Sequence, residues 1–373
     1  VVAEENGFDV KIATSTREFR DGYRSFAPTI IILDLVMPQA DGIELLRLLA
    51  RDNCGAQIFV ASGVEPKVLA TAKRLGEAHG LHMAGVLHKP IMISDLEALF
   101  RNVSKVGQAT TAEGLGEAIK KGQLVVHYQP KVSLKSEKGP AIESVEALVR
   151  WDHPQYGLLA PDEFIPLAEE SGLIVRLTDY VVHVVVKQIA QWQHEGLSLS
   201  VAVNLATQLL GHLELPDRIA HELGKHKVPG SRLVLEITER AAMANTARTM
   251  EILTRFRIKD IGLSLDDFGT GFSSFVELCR MPFNELKIDK SLVIEIGRNE
   301  EAKLVVRSII DLAHNLGLSV CAEGIENQGA LHFLDAIGCD KVQGYYISEP
   351  LPSAELLRLV RTSEWTWFKR NTG

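Results

Sequence analysis

The hydrophobic residues in the first hundred positions form short runs separated by longer stretches of mixed polar and apolar character. Four of these runs, at residues 8–13, 29–34, 57–61 and 85–87, have the length and composition of buried strands. Helix-length segments separate them, and this alternation predicts a small α/β domain with a parallel sheet. In such sheets, function resides at the carboxyl ends of the strands, so the residues after each run are the first candidates for a site.

The same alternation continues on a larger scale from residue 124 onward. Short apolar segments alternate with longer helical patterns, and eight of these segments predict strands. They cover residues 124–128, 144–150, 199–205, 233–238, 263–267, 285–289, 319–323 and 341–347. Eight strands with intervening helices predict a (β/α)8 barrel of the TIM type. In that fold the loops after the strands converge on one mouth, where catalytic groups gather.

A segment without hydrophobic periodicity joins the two patterned regions. Residues 104–113 are small, polar and glycine-containing, which is typical of a linker, and residues 115–121 predict a short helix leading into the barrel. We therefore expect a first domain at residues 1–103, a linker at 104–114, a barrel at 115–362 and a C-terminal tail at 363–373. The aromatic residues of that tail are left without an assigned function.

Composition and charge narrow the class of protein. A length of 373 residues fits two domains, and a net charge of -8 disfavours nucleic-acid binding, which needs a basic surface to displace counterions. The four cysteines lack the close pairs of zinc sites or small disulfide frameworks, so we expect a reducing, cytoplasmic location. The most apolar stretch, residues 180–190, contains His183 and Lys187 and is far shorter than the ~20 residues that a membrane span needs. We expect no membrane span and no signal peptide.

Polar residues end almost every strand that the pattern predicts for the barrel. They are Glu146, Asn204, Glu236, Asp266, Asp267, Lys287, Glu323 and Gln343. Acids crowded into one mouth are costly unless they are paired or bind a cation, and oxygen ligands without histidine or cysteine favour Mg²⁺ or Mn²⁺. The adjacent Asp266 and Asp267 suggest two ions, because one carboxylate can bridge both while its neighbour binds the second.

Two of these residues have roles that the spacing leaves open. Lys287 is expected either to orient the attacking water or to neutralise charge. Glu323 is expected either to coordinate the second metal through water or to receive a proton. The sequence pattern does not choose between these roles.

The strand-end residues stand within an ordered series of motifs that resembles the EAL-type cyclic di-GMP phosphodiesterases. The motifs are Tyr128-Gln129-Pro130, Glu146-Ala147-Leu148 with Arg150-Trp151, Pro161-Asp162-Glu163-Phe164-Ile165-Pro166, Asp266 to Gly271, Lys287-Ile288-Asp289, Ala322-Glu323-Gly324-Ile325-Glu326 and Gln343-Gly344-Tyr345. The resemblance implies opening of the cyclic dinucleotide to linear pGpG at a site with two ions, Mg²⁺ or Mn²⁺.

The resemblance also assigns individual roles. It implies that the first ion is held by Glu146, Asn204, Glu236 and Asp266, and the second by Asp266 and Asp267 with Glu323 close by. It also implies that the attacking water is positioned by Lys287, Glu323 and Gln343. Arg150 is expected to bind a substrate phosphate, and Gln129 is expected to contact the substrate. Histidines such as His127, His153 and His183 fall outside the matched site and are interpreted as packing or surface residues.

A glycine-rich loop at residues 267–274 follows the two aspartates. By resemblance, Glu239 anchors this loop, which connects the metal residues to a surface that the family commonly uses for dimerisation. The loop therefore offers a route by which the first domain can control hydrolysis. We expect a homodimer or a higher oligomer from the resemblance alone.

The first domain places three polar residues at the ends of its predicted strands, Asp34, Ser62 and Lys89. With Met37-Pro38 and Asp41-Gly42, they resemble the flavodoxin-like receiver domain of two-component response regulators. The resemblance implies that Asp34 accepts a phosphoryl group, with a sensor histidine kinase as partner, that Ser62 is the switch hydroxyl and that Lys89 is the phosphate partner.

The sequence departs from the receiver pattern in two ways. The family's first strand and its magnesium-binding acidic pair have no counterpart, because Glu4 and Glu5 fall at the end of the first helix. The aromatic switch residue is also missing before Lys89. A receiver fold kept as a dimerisation or docking module is therefore the alternative to a phosphorylatable domain.

Two other functions stay open for the barrel. A catalytically inactive EAL domain would bind cyclic di-GMP and signal by changing its contacts, but such receptors usually lack one or more metal ligands, whereas this set is complete. A scaffold that only mediates protein interactions would not need the full set. The sequence has no Gly-Gly-Asp-Glu-Phe motif of diguanylate cyclases and no helix-turn-helix pattern, which disfavours messenger synthesis and direct transcriptional control.

Overall fold

The computed structural model describes residues 2–37, 40–52, 54–63, 66–93, 96, 99–100, 111–136, 139–243, 246–269, 280–297 and 299–362. The chain divides into two compact units, Val1–Gln108 and Ala109–Gly373. The expected tail at 363–373 and residues 104–110 of the expected linker lie outside the described residues. The helix predicted from residue 115 begins at Ala112, because Thr111 caps it by accepting a hydrogen bond from the backbone N–H of Gly114.

The described residues of the first unit form a parallel three-stranded sheet with helices around it. The strands are β1 (Ile30–Asp34), β4 (Gln57–Ser62) and β5 (Met83–His88), in the order β1-β4-β5, and β2 (Val36–Met37) pairs antiparallel with β3 (Ala40–Asp41). The helices are α1 (Val2–Glu5), α2 (Thr16–Phe26), α3 (Gly42–Arg51) and α4 (Pro66–Ala78). Leu33, Ile58 and Val60 pack against Leu46 and Leu49 of α3, forming the core that the apolar runs predicted.

One strand predicted for this unit does not form. Residues 8–13 carry no strand pairing, and the side chains of Val10 and Ile12 are 42% and 81% exposed. In the doubly wound strand order, the strand after the first helix lies at the sheet edge and pairs only with the strand that precedes that helix. None of the strands in the described part of the chain pairs with this apolar run, so the prediction from its composition is wrong.

The second unit is a closed barrel of eight strands surrounded by helices. The barrel strands are β6 (Leu124–Ser133), β7 (Ala141–His153), β9 (Ser200–Asn204), β10 (Leu233–Thr238), β11 (Gly262–Phe268), β12 (Glu285–Ile288), β13 (Ser319–Ala322) and β14 (Lys341–Val342), and β8 (Gly157–Leu159) pairs with the end of β7. The helices are α5 (Ala112–Lys121), α6 (Ile165–Glu170), α7 (Ile174–His194), α8 (Leu215–Lys225), α9 (Glu239–Met243), α10 (Thr246–Ile258), α11 (Lys290–Glu295), α12 (Glu300–Asn315), α13 (Gln328–Ala336) and α14 (Ser353–Thr362). The eight strands lie where the sequence predicted them, which confirms a TIM-type barrel.

The barrel differs from a regular (β/α)8 repeat in the direction of its first strand. Strand β6 is antiparallel to both of its neighbours, β7 and β14, whereas the other seven barrel strands are parallel to one another. Residues 134–140 join β6 to β7, and this link is shorter than the dozen or so residues that a parallel crossover needs. The reversal brings Gln129 of β6 directly opposite Glu146 of β7.

The outer helices bury the apolar residues that the sequence shows between the strands. Helix α7 contains the most apolar stretch of the chain and buries Val185, Val186 and Ile189 against the barrel. Trp192 of the same helix packs edge-on against Tyr128 of β6, with ring centroids 4.9 Å apart. Each large side chain buried in this way contributes roughly 1.5–3 kcal/mol. Across the described ranges, no helix combines the length and the hydrophobicity that crossing a membrane requires.

Candidate active site

Strand register brings the predicted polar residues to one level of the barrel. Glu146 of β7 pairs with Gln129 of β6, and Glu236 of β10 pairs with Asn204 of β9. Alternate side chains of barrel strands face the interior, and the exposed fractions of Glu146 and Glu236 are only 6% and 1%. These carboxylates are therefore held by the strands themselves and not by mobile surface loops.

Lys287 of β12 lies at the centre of the acidic cluster. Its Nζ atom is 2.7 Å from Glu323, 2.8 Å from Glu236, 3.1 Å from Asp266 and 3.6 Å from Glu146. The side chain is 1% exposed. Neighbouring carboxylates raise its pKa well above the ordinary value although burial acts to lower it, so the ammonium keeps its charge.

Two side-chain amides fix the orientation of Glu146. Asn204 Nδ2 donates to one carboxylate oxygen of Glu146 at 2.9 Å, and Gln343 Nε2 donates to the other at 2.7 Å. Gln343 Nε2 also donates to Oε1 of Gln129 at 2.8 Å, and Nε2 of Gln129 donates in turn to the carbonyl oxygen of Ser348. Within the described part of the chain, Oε1 of Gln343 is buried and accepts no hydrogen bond. An acceptor therefore stays available beside Glu146 for a polar ligand or a water molecule.

An irregularity in strand pairing aims two consecutive aspartates into the same site. Successive residues of a regular strand face opposite sides, but the register between β11 and β12 shifts between Leu265 and Phe268. Asp267 has a left-handed φ of 57°, a conformation that aspartate adopts more readily than most residues. Carboxylate oxygens of Asp266, Asp267 and Glu323 consequently lie within 4.8 Å of one another.

The crowding of these acids shows in their pKa values. Burial raises the pKa of Glu236 to about 7 and that of Glu323 to about 8, and neighbouring carboxylates add to both rises. Burial and the adjacent carboxylate raise the pKa of Asp267 to about 6. Burial alone would also raise the pKa of Glu146, but the charge of Lys287 and the hydrogen bonds from the amides hold it at about 2. The cluster thus carries more negative charge than its lysines balance.

The donor set fits hard divalent cations. Carboxylate and amide oxygens are the ligands that Mg²⁺ and Mn²⁺ prefer, and the predicted set includes neither histidine nor cysteine. The raised carboxyl pKa values come first from burial and then from repulsion between the carboxylates, and a bound cation offsets both by favouring the charged form. Asp266, Asp267 and Glu323 bring their carboxylate oxygens near enough to one another to share an ion.

Arg150 is the predicted phosphate ligand, and it lies on the same face of β7 as Glu146. The two residues are four apart on one strand, so their side chains project to the same side. Arg150 is partly buried and donates from Nη1 to the carbonyl of Val149 at 2.9 Å. Burial lowers the pKa of its guanidinium, while the nearby Tyr345 and Asp162 act in the opposite direction.

Glu239, the predicted loop anchor, is the first residue of α9 and is 4% exposed. Its carboxylate accepts a hydrogen bond from the backbone N–H of Gly269 at 3.4 Å. The structure therefore brings Glu239 to the start of the glycine-rich loop after Asp267. Residues 270–274 of that loop lie outside the described residues.

A second layer of buried charge, which the sequence reading missed, lies next to the acidic cluster. Lys131 of β6 is 1% exposed, and its Nζ atom lies 2.5 Å from Glu236 and 3.7 Å from Glu285. Glu285 also accepts from Lys341 at 2.7 Å and from Ser264 at 3.0 Å. The available signal was a lysine inside the apolar strand that follows Pro130, because such a lysine must either face solvent or meet a buried acid.

In the first unit, the structure brings Asp34 and Lys89 together. Nζ of Lys89 lies 2.5 Å from Oδ2 of Asp34, and the backbone N–H of Val36 donates to Oδ1 at 3.1 Å. Ser62 ends β4 on the strand next to β1, where Asp34 pairs with Ala61. The side chain of Ser62, predicted as the switch hydroxyl, lies outside the described residues.

Comparison with known proteins gives two family matches. Residues 112–350 match the model of the EAL domain, and residues 1–101 match that of the response regulator receiver domain. The EAL match covers more than half of the chain.

Curated relatives and solved structures agree with these matches. The bifunctional diguanylate cyclase/cyclic di-GMP phosphodiesterase MucR of Pseudomonas aeruginosa is 38% identical over 260 residues, which are 69% of this chain and 38% of MucR. The chain thus spans well under half the length of that relative. The cyclic di-GMP phosphodiesterase RocR of the same organism is 29% identical over 88% of this chain and 86% of its own length. The solved cyclic di-GMP complex of the MucR phosphodiesterase is 38% identical, with a TM-score of 0.62, and the match covers 65% of this chain and 98% of that chain.

Proposed function

Because the chain belongs to the EAL domain family and begins with a receiver domain, we propose that its barrel hydrolyses cyclic di-GMP to linear pGpG. The observation that carries this proposal is the buried cluster of five carboxylates around Lys287. The names of MucR and RocR as cyclic di-GMP phosphodiesterases support the choice of substrate. The solved complex of a relative with cyclic di-GMP supports it as well.

Two divalent cations are part of the proposal. We assign the first ion to Glu146, Asn204, Glu236 and Asp266, and the second to Asp266 and Asp267 with Glu323 close by. When bound, Mg²⁺ or Mn²⁺ ions supply Lewis-acid stabilisation of the negative charge that develops on the phosphate. The amides of Asn204 and Gln343 orient the Glu146 carboxylate for this task through the hydrogen bonds at 2.9 Å and 2.7 Å.

The protein's own groups position the attacking water. Lys287 and Glu323 lie 2.7 Å apart, and we assign the water to these two residues together with Gln343. The product pGpG carries a 5′ phosphate and a free 3′ hydroxyl. The water oxygen therefore bonds to phosphorus, the bond from phosphorus to the 3′ oxygen breaks, and a proton from the water ends on that 3′ oxygen. Glu323 is the carboxylate assigned to receive the proton during the attack.

Two residues of the antiparallel strand pair are assigned to the substrate. Arg150 offers a partly buried guanidinium for a phosphate group, since a planar guanidinium suits paired hydrogen bonds to phosphate oxygens. Gln129 lies beside Gln343 and opposite Glu146, within reach of a ligand bound over the acidic cluster. Both assignments rest on the shared face of β6 and β7.

The direct test is hydrolysis of cyclic di-GMP by the purified chain with Mg²⁺ or Mn²⁺, with nucleotides separated by chromatography. Glu146→Ala removes an interior carboxylate, whereas Glu143→Ala removes an exposed one from the same strand and serves as the matched control. We expect metal-dependent pGpG from the parent and from Glu143→Ala, and a loss of rate of at least about 100-fold in Glu146→Ala.

Two other outcomes would contradict hydrolysis. Tight binding of cyclic di-GMP without turnover by the parent would identify a receptor. Equal rates in Glu146→Ala and Glu143→Ala would place the chemistry outside the acidic cluster.

The receiver unit is proposed to control this activity through phosphorylation of Asp34. The contacts of Asp34 with Lys89 and with the backbone of Val36 support the proposal, because a phosphoacceptor needs a nearby cation and a backbone donor for the phosphate oxygens. Incubation with acetyl phosphate should add one phosphoryl group, detected by mass, to the parent and to the exposed control Asp21→Asn, and not to Asp34→Asn. An unmodified parent would favour the docking-module alternative.

A sensor histidine kinase as partner, a homodimer or higher homo-oligomer and a cytoplasmic location complete the proposal. Three described cysteines, Cys54, Cys321 and Cys339, are buried and unpaired, which supports a reducing compartment. Light scattering at working concentration tests the oligomer, and a monomer would contradict it.

A further inference from the structure

A second group of metal-ligating side chains lies in the helical layer outside the barrel. His183 projects from α7, while Glu222 and His226 lie one helical turn apart at the end of α8. The ligand atoms of the three residues all lie within 4.8 Å of one another. The sequence reading interpreted His183 as a packing or surface residue, because nothing in one-dimensional spacing pairs it with Glu222, 39 positions away.

Both imidazoles converge on the same carboxylate oxygen. Nδ1 of His183 lies 2.6 Å from Oε1 of Glu222, and Nε2 of His226 lies 3.1 Å from that same atom. Within the described residues, Nε2 of His226 is buried and makes no hydrogen bond of acceptable geometry. A buried ring nitrogen without a hydrogen-bond partner is unfavourable unless another ligand satisfies it.

The separations suit a metal ion bound between the three side chains. Zn²⁺ binds imidazole nitrogen and carboxylate oxygen at roughly 2.0–2.2 Å, so tetrahedral ligand atoms lie about 3.4 Å apart. Small side-chain rotations take the three ligand atoms to that spacing. A cavity of about 180 Å³ adjoins His183 and Glu222, and Asp179 and Arg218 also line it. This cavity has room for a water as the fourth ligand.

The local electrostatics also favour a cation at this position. His226 is the C-cap residue of α8, and the carbonyl end of a helix carries partial negative charge. Of the positive charges nearby, Arg218 pairs with Asp179 at 2.8 Å. Lys225 lies 3.8 Å from Oε2 of Glu222, which leaves Oε1 of that carboxylate to the two imidazoles. The side chains of His183, Glu222 and His226 are 43%, 19% and 23% exposed, so an ion can enter from solvent.

We propose that His183, Glu222 and His226 form a Zn²⁺ site that clamps α7 to α8 on the outside of the barrel. Two imidazoles and one carboxylate are a ligand set that zinc accepts, and imidazole distinguishes this site from the all-oxygen cluster in the barrel. The ion joins two helices that are far apart in sequence, so its effect is on the stability of the helical layer. The site lies on α7 and at the end of α8, whereas the residues assigned to hydrolysis lie on the barrel strands or directly after them.

The test uses the full chain with the barrel cluster saturated by excess Mg²⁺ and with Co²⁺ as the spectroscopic probe. A four-coordinate site with nitrogen ligands gives Co²⁺ an intense visible band, whereas an octahedral oxygen site gives a weak one. We expect each chain to bind one Co²⁺ ion that gives the intense band, and we expect added Zn²⁺ to displace this ion and abolish the band. His183→Asn and His226→Asn should weaken Zn²⁺ binding by at least about tenfold. The control His221→Asn, on an exposed residue next to Glu222, should bind as the parent does.

Two further measurements separate this site from a general effect on folding. Relative to its own value in chelator, the melting temperature of the parent and that of His221→Asn should rise on addition of Zn²⁺, whereas that of His183→Asn should stay unchanged. Hydrolysis of cyclic di-GMP in Mg²⁺ should be unchanged in His183→Asn. The absence of an intense Co²⁺ band in the parent, or equal Zn²⁺ affinity in His183→Asn and His221→Asn, would overturn the proposal.

Discussion

At the scale of single residues, the barrel interior is governed by a chain of buried ion pairs. Lys287 balances the acids of the candidate site, and Glu236 connects it to Lys131 on the neighbouring layer. Pairs of this kind gain little over apolar packing, but removing one partner leaves an uncompensated buried charge. The identity of each member therefore matters more for the structure than that of any surface charge.

Replacement of Lys131 tests this dependence. Lys131→Met should lower the free energy of unfolding by about 3–5 kcal/mol in metal-free protein, because Glu236 loses a buried partner. Lys135→Met, which breaks an exposed pair with Asp340, should change it by less than about 1 kcal/mol. Urea denaturation with and without Mn²⁺ measures both. Equal destabilisation by the two substitutions would show that the buried Lys131 pair contributes no more to the free energy of unfolding than the exposed Lys135 pair.

The raised carboxyl pKa values predict an unusual dependence of stability on pH. Glu236, Asp267 and Glu323 have folded pKa values of about 7, 6 and 8, above the ordinary values of 4.5 for glutamate and 3.8 for aspartate. The folded state therefore binds more protons than the unfolded state between about pH 4.5 and pH 8, so metal-free protein should lose stability as pH rises through that window. Melting temperatures in chelator across the window measure this trend. A rise in melting temperature over the same range would contradict it.

The sequence predicted the strand-end residues of the candidate site but not their supporting layer. Acids and amides after apolar runs are informative, because the carboxyl ends of barrel strands meet at one mouth. Lys131 was missed because the direction in which a strand lysine points depends on pairing, and β6 pairs in the opposite direction to the other strands. The metal-ligating geometry of His183 was missed for a similar reason, since it depends on how two helices pack.

At the scale of elements, the direction of β6 was the feature of the barrel that the hydrophobic pattern did not predict. Alternation of apolar and polar residues identifies a strand but carries no direction. The predicted strands at 124–128 and 144–150 left about 15 residues between them, enough for a parallel crossover. In the structure both strands are longer, and only residues 134–140 separate them. The expected strand at 8–13 fitted a strand in composition, but no strand in the described part of the chain pairs with it.

A close backbone contact between the segments that follow β13 and β14 leads to a further prediction at this scale. Gly344 follows Gln343, and a Cβ atom added there would lie 2.2 Å from the backbone nitrogen of Ile325. Gly344→Ala must therefore push apart the segments that carry Gln343 and Glu323, and we expect loss of hydrolysis and a lower melting temperature.

A helical glycine provides the control for that substitution. In Gly116→Ala the added Cβ meets nothing within 4 Å, so we expect unchanged activity and a stability equal to or about 0.5–1 kcal/mol above that of the parent. Both variants are compared by rate assay and thermal melting. Full activity in Gly344→Ala would show that the segments carrying Gln343 and Glu323 can move apart without loss of hydrolysis.

At the scale of the whole molecule, all residues assigned to hydrolysis lie between Gln129 and Gln343, inside the second compact unit. We therefore expect residues 109–362, expressed alone, to unfold in one cooperative transition and to hydrolyse cyclic di-GMP in the presence of Mg²⁺ or Mn²⁺. Calorimetry and the chromatographic assay check this. If the expressed fragment, residues 109–362, showed no cooperative unfolding transition, the barrel would depend on the receiver unit for its fold.

The reversed first strand also sets the order in which the barrel is completed during synthesis. Strand β6 pairs with β7 across a short hairpin, but its other partner, β14, comes about 200 residues later, where Lys341 meets Ser133. At a typical translation rate of 5–20 residues per second, the ribosome needs roughly 10–40 s to make the residues between these two. Throughout that interval one edge of β6 has no strand beside it. The nascent sheet is consequently open to mispairing at that edge until the last strand is made.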